Sequence, residues 1–284
     1  MWEVILEALI DALKMLPFLF LTYVLLEYLE HARTDRFKNK LLGWKRLAPV
    51  GGAFLGCVPQ CGFSVAAANL FSGRIITAGT LVAVFISTSD EAIPILLSDP
   101  QNIHLILKLL LYKLLIAITA GLLFDRLFFR RWQTETPDSS LVHEDCETHL
   151  QQKGFAKGIL LAALKHTSYI FLFLLAVIVF LNLTIYWIGE ERLAQILMSE
   201  SIWQPFIAAL CGLIPNCAPS VILSQLYLSG SIGFGSLLAG LSTGAGIGIV
   251  VLFKVNRGSV GLKQNIILLV YIYIISVIAG LLLN

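Results

Sequence analysis

Charged residues are scarce in this chain. They make up 13% of its 284 residues, whereas an ordinary soluble domain has about a quarter. The sequence also lacks a glycine-rich phosphate-binding loop, a nucleophilic triad and the Cys/His spacing of a zinc site. Its five cysteines are too few and too irregularly spaced for a disulfide framework. We therefore expect neither an enzyme nor an ATP-driven pump, and neither a cofactor nor a nucleic-acid partner.

Hydrophobic residues dominate instead, at 57% of the chain with a mean hydropathy of +0.84. Two apolar runs, 170–188 and 266–283, are long enough to cross a bilayer core of about 30 Å. No Lys or Arg precedes Lys14, so the start of the chain lacks the basic region of a cleavable signal peptide, and the first helix is expected to remain. The prediction is an all-α, multi-pass membrane protein in contact with the lipid bilayer, and a homo-oligomer stays open.

The positions of Lys and Arg predict the topology. They cluster in 31–46, 126–157 and 254–263, which the positive-inside rule places in the cytoplasm. The loops 98–103 and 189–202 carry few basic residues and are expected outside. An odd number of crossings must then join the first basic loop to the first outer loop.

The interval between the basic loop 31–46 and the outer loop 98–103 holds three apolar pieces, 47–58, 61–71 and 75–97. Each of the first two is about half as long as a membrane span. A re-entrant helical hairpin followed by one full crossing satisfies both the length and the charge. The second half repeats this arrangement with short pieces and a crossing at 202–214, 219–228 and 233–253.

The two halves also share short motifs: Pro-amide-Cys at 59–61 and 215–217, and Ser-Thr at 87–88 and 242–243. Each half is expected to make three full crossings, and an odd number inverts the second repeat in the membrane. We predict two inverted-topology repeats, each with three full crossings plus a re-entrant hairpin, and about ten hydrophobic segments altogether. The first repeat would span 1–127, a polar cytoplasmic linker 128–155, and the second repeat 156–284.

The Pro-amide-Cys motifs are expected to mark the tips of the two hairpins, because proline breaks a helix. Irregular backbone at mid-membrane is tolerated only where protein or a water-filled cavity satisfies it. Tips entering from opposite faces would meet near mid-membrane and line a substrate pathway. The residues predicted to line this pathway are Pro59, Gln60, Cys61, Ser87, Thr88, Pro215, Asn216, Cys217, Ser242 and Thr243.

Two carboxylates, Asp90 and Glu91, fall within the predicted crossing 75–97. Intramembrane carboxylates are costly and mark ion or proton pathways, so we expect this pair to couple transport to a driving ion. The alternative is structural: the carboxylates pair with a lysine such as Lys14 or Lys113, or they cap the helix end.

Sulfur ligands suit soft metals and trivalent arsenic, whereas manganese prefers oxygen ligands. The candidate metal-binding side chains are Cys57, Cys61, Cys217 and Asp90. A free cysteine is often only a small buried hydrophobe, which is the reading favoured for Cys146 and Cys211. The polar loop 143–149 is either a metal-capturing segment or a plain solvated linker.

The motifs GCVPQCG (56–62), STSDEA (87–92), PNCAPS (215–220) and GLSTGAGIG (240–248), with an opening crossing that ends LLEYLEH (25–31), resemble the ten-segment (10TM) heavy-metal exporter family. Its members are also labelled arsenic efflux-like permeases or manganese transporters. The resemblance spans essentially the whole chain. It implies a secondary transporter that exports a metal or metalloid across the bacterial inner (plasma) membrane on an ion or proton gradient. The alternatives are an intramembrane thiol redox enzyme using Cys57 and Cys61, or a transporter of a small organic or anionic solute.

Overall fold

The computed structural model describes residues 47–58, 62–88, 92–97, 103–132 and 203–283, with isolated positions between 10 and 24 and between 164 and 180. All regular structure in this described part is helical. In the first half the helices are α1 (Ala48–Gly56), α2 (Gly62–Ser72), α3 (Ala78–Ser87), α4 (Ala92–Leu97) and α5 (Ile103–Trp132). In the second half they are α6 (Gln204–Gly212), α7 (Ala218–Leu228), α8 (Phe234–Thr243), α9 (Gly248–Val255) and α10 (Ser259–Leu283).

Three stretches of the described chain are long and apolar enough to cross a membrane: Ile103–Leu127, Phe234–Val255 and Val260–Leu283. On α5, Leu107 and Leu111 point away from the protein, as expected of a face in contact with lipid. The opposite face of the same helix is buried. The prediction of an all-α membrane protein with several spans is therefore confirmed.

The short apolar pieces of each half form short helices. Helices α1 and α2 have 9 and 11 residues, which correspond to about 14 and 17 Å at 1.5 Å per residue. Helices α6 and α7 have the same two lengths. Each first arm, α1 and α6, carries proline at its start, where the missing N–H costs no hydrogen bond. None of these four arms is long enough to span the membrane alone.

Helices α1, α2 and α3 recur as α6, α7 and α8 with one constant displacement of 156 residues (204 − 48, 218 − 62 and 234 − 78). Under this displacement Ser87 corresponds to Thr243. The alignment through the shared Ser-Thr pair, which sets Ser87 against Ser242, is wrong by one residue. The reason is that the two halves keep the lengths of their helices rather than the position of this dipeptide.

The crossing predicted at 75–97 is interrupted, which corrects the expectation of a continuous helix. Helix α3 ends at Ser87, and Thr88 leaves helical geometry with ψ of 132°. The hydroxyl groups of Ser87 and Thr88 both donate to the carbonyl of Val84, at 3.1 and 2.7 Å. Such side-chain bonds compete with the helical backbone pattern.

The crossing predicted at 233–253 is interrupted at the corresponding place. Helix α8 ends at Thr243, and Gly246 adopts a φ of +55° before α9 begins. Because only glycine occupies the left-handed region readily, the glycines of 244–248 supply this turn directly. Each half therefore contains a discontinuous helix as well as a pair of short arms.

Helix α5 contacts the start of α3 near one of its ends and the start of α8 near the other. Near its end, Asp125 accepts hydrogen bonds from the Thr77 hydroxyl (2.6 Å) and the Gly79 amide (2.7 Å), at the start of α3. Near its beginning, the Lys108 ammonium lies 4.5 Å from the centroid of the Phe234 ring, at the start of α8. Positions 108 and 125 are about 25 Å apart along a helix, so α3 and α8 start near opposite ends of α5.

The apolar core is divided in the same way. One cluster joins the first pair of arms to the later half of α5, through Ala117 and Phe124. A second cluster joins the second pair of arms to the earlier half, through Ile106 and Leu109. The stretch of α5 between Leu109 and Ala117 thus lies between the two clusters.

Candidate translocation site

Lys113 lies in that stretch and is completely buried, with 0% of its surface exposed. Its ammonium donates hydrogen bonds to the backbone carbonyl oxygens of Thr88 and Leu241, the latter at 2.7 Å. Ten residues separate it from the start of the 25-residue span Ile103–Leu127, a distance of about 15 Å along the helix. The ammonium is therefore close to the middle of the span.

Both carbonyls belong to the ends of interrupted helices. Thr88 is the C-terminal cap of α3, and Leu241 lies in the last turn of α8. The last four carbonyls of a helix have no partner within it, and the helix dipole adds partial negative charge at this end. A cation is therefore favoured where two such ends meet, and Lys113 supplies one.

The predicted Ser and Thr residues lie at the same two helix ends. Ser87, Thr88, Ser242 and Thr243 are all buried. The Thr243 hydroxyl donates to the carbonyl of Ala209 at 2.7 Å, which ties the end of α8 to α6. The Ser242 hydroxyl has no hydrogen-bond partner in the part of the chain that the structure describes. An unpartnered buried hydroxyl is unusual and calls for an explanation.

The first arm of each half packs tightly against the interrupted helix of its own half: α1 contacts the end of α3, and α6 contacts the end of α8. A Cβ added to Gly56, the last residue of α1, would overlap the Ser87 hydroxyl and lie 2.6 Å from the Val84 carbonyl oxygen. A Cβ added to Gly212, the last residue of α6, would overlap both the Thr243 hydroxyl and the backbone of α8. The second Pro-amide-Cys motif begins three residues after Gly212, so the backbone brings this tip close to the end of α8.

The second tip is ordered by its amide. Asn216 is buried, and its Oδ1 accepts hydrogen bonds from the backbone N–H of Cys217 (2.6 Å) and from the Cys217 thiol (3.2 Å). The backbone N–H of Ala218, the first residue of α7, lies 3.5 Å from the same oxygen. This oxygen therefore accepts hydrogen bonds at the start of α7. Pro215 precedes it and is half-buried.

Of the other candidate thiols, Cys57 caps α1 and lies within range of a Coulombic interaction with Lys113. Cys211 is buried in the second apolar cluster, as expected for a small structural side chain. No group of three His, Cys, Asp or Glu side chains forms among the residues that the structure describes. The candidates outside these residues are Pro59, Gln60, Cys61, Asp90, Glu91, Cys146 and the loop 143–149.

From the sequence, Lys113 was expected only as a candidate partner for Asp90 or Glu91, which lie outside the described residues. The structure places it at the centre of the span, between two helix ends. One signal was available, because position 113 lies near the middle of the apolar stretch between the outer loop 98–103 and the basic segment 126–157. The inner face of α5 could not be identified, however, since leucine and isoleucine occur all around this helix.

The comparisons agree with the resemblance seen in the motifs. Residues 139–246 match the model of a family described as "Putative, 10TM heavy-metal exporter". The matched stretch contains the second Pro-amide-Cys motif and all of α6, α7 and α8. This match confirms the resemblance to that family. No curated protein and no solved structure matches the chain.

Proposed function

We propose that the protein is a secondary transporter that exports a heavy metal or metalloid, of the manganese or arsenic type, across the bacterial inner membrane. The observation that carries this proposal is the meeting of two interrupted helices at mid-membrane, around Lys113. Discontinuous helices whose ends face a site at the midplane are typical of secondary transporters. The family match over 139–246 supports the same class and the export of a metal.

The two halves form inverted repeats in this proposal, each with three crossings and a re-entrant hairpin. Helices α3 and α8 are equivalent in sequence position, yet they start near opposite ends of α5. Helix α10 supports the same arrangement: its Gln264 accepts from Arg74 near the start of α3, whereas its Gly280 packs on Gly235 at the start of α8. Repeats inserted in the same direction would place both starts at one end.

Substrate would pass between the two hairpin tips and the two helix breaks. Gln60, Cys61, Asn216 and Cys217 would contact it directly, and Cys57 would add a third sulfur for a soft ion. Asp90 and Glu91 follow the break after α3 and would carry the coupling to a proton or another ion. The hydroxyl residues at the breaks complete the lining: Ser87, Thr88, Ser242 and Thr243.

Cell metal content tests the proposal directly. Cells that lack the gene should retain more manganese or more arsenic than cells that express it, as measured by inductively coupled plasma mass spectrometry. Equal contents of both elements in the two strains, with the protein present in the membrane, would refute export of either.

Substitution of the tip cysteines distinguishes a manganese substrate from an arsenic one. Serine at both Cys61 and Cys217 should abolish export of arsenite but largely spare Mn²⁺, which binds through oxygen. Serine at Cys146 and Cys211 is the matched control and should leave both activities unchanged. Equal loss of both substrates in the first variant would show that the tip cysteines are structural.

Transport of a small anionic solute is the second candidate, and the Lys113 ammonium is the observation that favours it. A fixed cation at mid-membrane attracts an anion in a medium of low dielectric constant. Uptake of arsenate or phosphate by liposomes that contain the purified protein, in the absence of any Mn²⁺ or arsenite transport, would establish this alternative.

A further inference from the structure

We propose that the carbonyl oxygens of Thr88 and Leu241 form a cation site, that the Lys113 ammonium is its tethered occupant, and that this ammonium and the transported cation exclude one another. The proposal rests on the proposed function in one respect, namely that the exported species is a cation. It adds a second role for the lysine: to fill the site when the carrier is empty.

The ligands around the ammonium are those that a hard cation requires. Carbonyl oxygens at unwound helix ends bind Na⁺ in secondary transporters, and carbonyl and hydroxyl oxygens suit Mn²⁺. Two such carbonyls already accept from Lys113. The Ser242 hydroxyl, directly after Leu241, is fully buried and lacks a partner among the described residues, so its oxygen is available as a further ligand.

Two cations cannot share this site. Unit charges about 4 Å apart repel one another, at an effective dielectric constant of about 20, by an amount equal to roughly a thousandfold in a binding constant. A divalent ion doubles this repulsion. The cation therefore binds at the carbonyls only when Lys113 withdraws, and the flexible four-carbon stem of lysine permits that movement.

The exchange gives the lysine a role in the transport cycle. After the cation leaves, two helix ends would face the middle of the membrane with unpaired carbonyls, which is costly in the absence of water. The returning ammonium satisfies them. The empty carrier can then change its orientation, so net efflux requires Lys113, whereas exchange of one cation for another does not.

The test uses the purified full-length protein in liposomes, with Mn²⁺ as the probe. Lys113→Met should bind Mn²⁺ about tenfold more tightly or better, retain Mn²⁺/Mn²⁺ exchange and lose net efflux. Lys113→Arg keeps the charge and should show no gain in affinity. Lys108→Met is the matched control on the same helix, where the ammonium lies over the Phe234 ring, and it should behave as the wild type.

Wild-type or weaker Mn²⁺ affinity in Lys113→Met would overturn the proposal, and so would equal loss of exchange and net efflux. If this variant does not fold, the wild-type protein decides the question. Mn²⁺ should then increase the rate at which an amine-reactive reagent modifies Lys113, as measured by mass spectrometry, and an unchanged or lower rate would overturn the proposal.

The two proposals fail in different ways. Wild-type liposomes that move neither Mn²⁺ nor arsenite would contradict export itself. The affinities of the wild type and Lys113→Met for Mn²⁺ test the carbonyl site independently of any transport. If the protein is an anion carrier instead, Lys113→Met should change the affinities differently. Loss of the ammonium would then weaken arsenate binding and would not strengthen Mn²⁺ binding.

Discussion

The close approach of each hairpin arm to a helix break makes Gly56 and Gly212 sensitive to a single added methyl group. In Gly56→Ala the new Cβ lies 2.6 Å from the Val84 carbonyl oxygen, a backbone atom that cannot rotate away. Overpacking of this kind costs about 1–3 kcal/mol. The gain from replacing glycine in a helix, about 0.5–1 kcal/mol, offsets only part of this cost, so we expect a net loss of about 1–2 kcal/mol.

Gly212→Ala should be the more damaging of the two substitutions, because its Cβ would overlap the backbone carbonyl of Gly240 as well as the Thr243 hydroxyl. Gly51 provides the matched control in α1, since a Cβ added there meets nothing within 4 Å. Gly51→Ala should leave stability unchanged or raise it by about 0.5–1 kcal/mol.

Thermal unfolding of the three variants in detergent, followed by intrinsic fluorescence, measures the difference. A loss of 1 kcal/mol lowers Tm by about 2–4 °C in chains of 150–250 residues, so Gly56→Ala should melt a few degrees below Gly51→Ala. Equal melting temperatures for Gly51→Ala, Gly56→Ala and Gly212→Ala would refute the tight packing of the arms against the breaks.

Three further experiments test other parts of the account. Asp125→Ala removes the acceptor of two hydrogen bonds at the start of α3 and should lower the unfolding free energy by about 1–3 kcal/mol; an unchanged melting curve would show that this carboxylate does not hold α3. Asp90→Asn and Glu91→Gln should each abolish efflux while the protein stays in the membrane, and normal efflux by both would place the coupling site elsewhere. Cysteines introduced at Asp99 and Gly258 should react with an impermeant maleimide from opposite faces of the membrane, whereas reaction from one face would contradict the inverted topology.

The short arms could be predicted from the sequence because their lengths carry a physical constraint. An apolar piece of about 12 residues cannot cross a bilayer as a helix, and Pro215 marks the turn between α6 and α7. The all-α membrane class followed from hydropathy alone. The shared motifs of the two halves were also visible in the sequence. The exact residue-by-residue alignment of the halves, however, required the bounds of the helices.

The helix breaks were not predicted, because the pieces 75–97 and 233–253 are each long enough to form one continuous crossing. The first break depends on hydroxyl groups that bond to the carbonyl of Val84, and hydroxyl residues occur within many intact helices. Glycines at 244, 246 and 248 were a stronger signal for the second break. A pattern of hydropathy does not distinguish a continuous crossing from two half-helices.

The contacts of Lys113 could not be predicted from the sequence for a different reason. Two of its partners are backbone carbonyls, which every residue possesses, and they lie 25 and 128 positions away in the chain. No side-chain pattern identifies such partners. A buried lysine of this kind becomes visible only when the two helix ends are located in space.

The central claim is that the two hairpin tips meet at one site in the middle of the membrane, and cross-linking between Cys61 and Cys217 tests it most directly. A bismaleimide that spans about 14 Å allows twice the Cα separation of a disulfide, so the tips need not touch. A protease site introduced within 128–155 separates the halves unless they are linked. The remaining cysteines are first replaced by serine: Cys57, Cys146 and Cys211.

The account predicts that the halves stay joined after cleavage in membranes treated with the bismaleimide, and that they separate when either Cys61 or Cys217 is also serine. Complete separation of the halves, under conditions in which a monofunctional maleimide labels both cysteines, would contradict it.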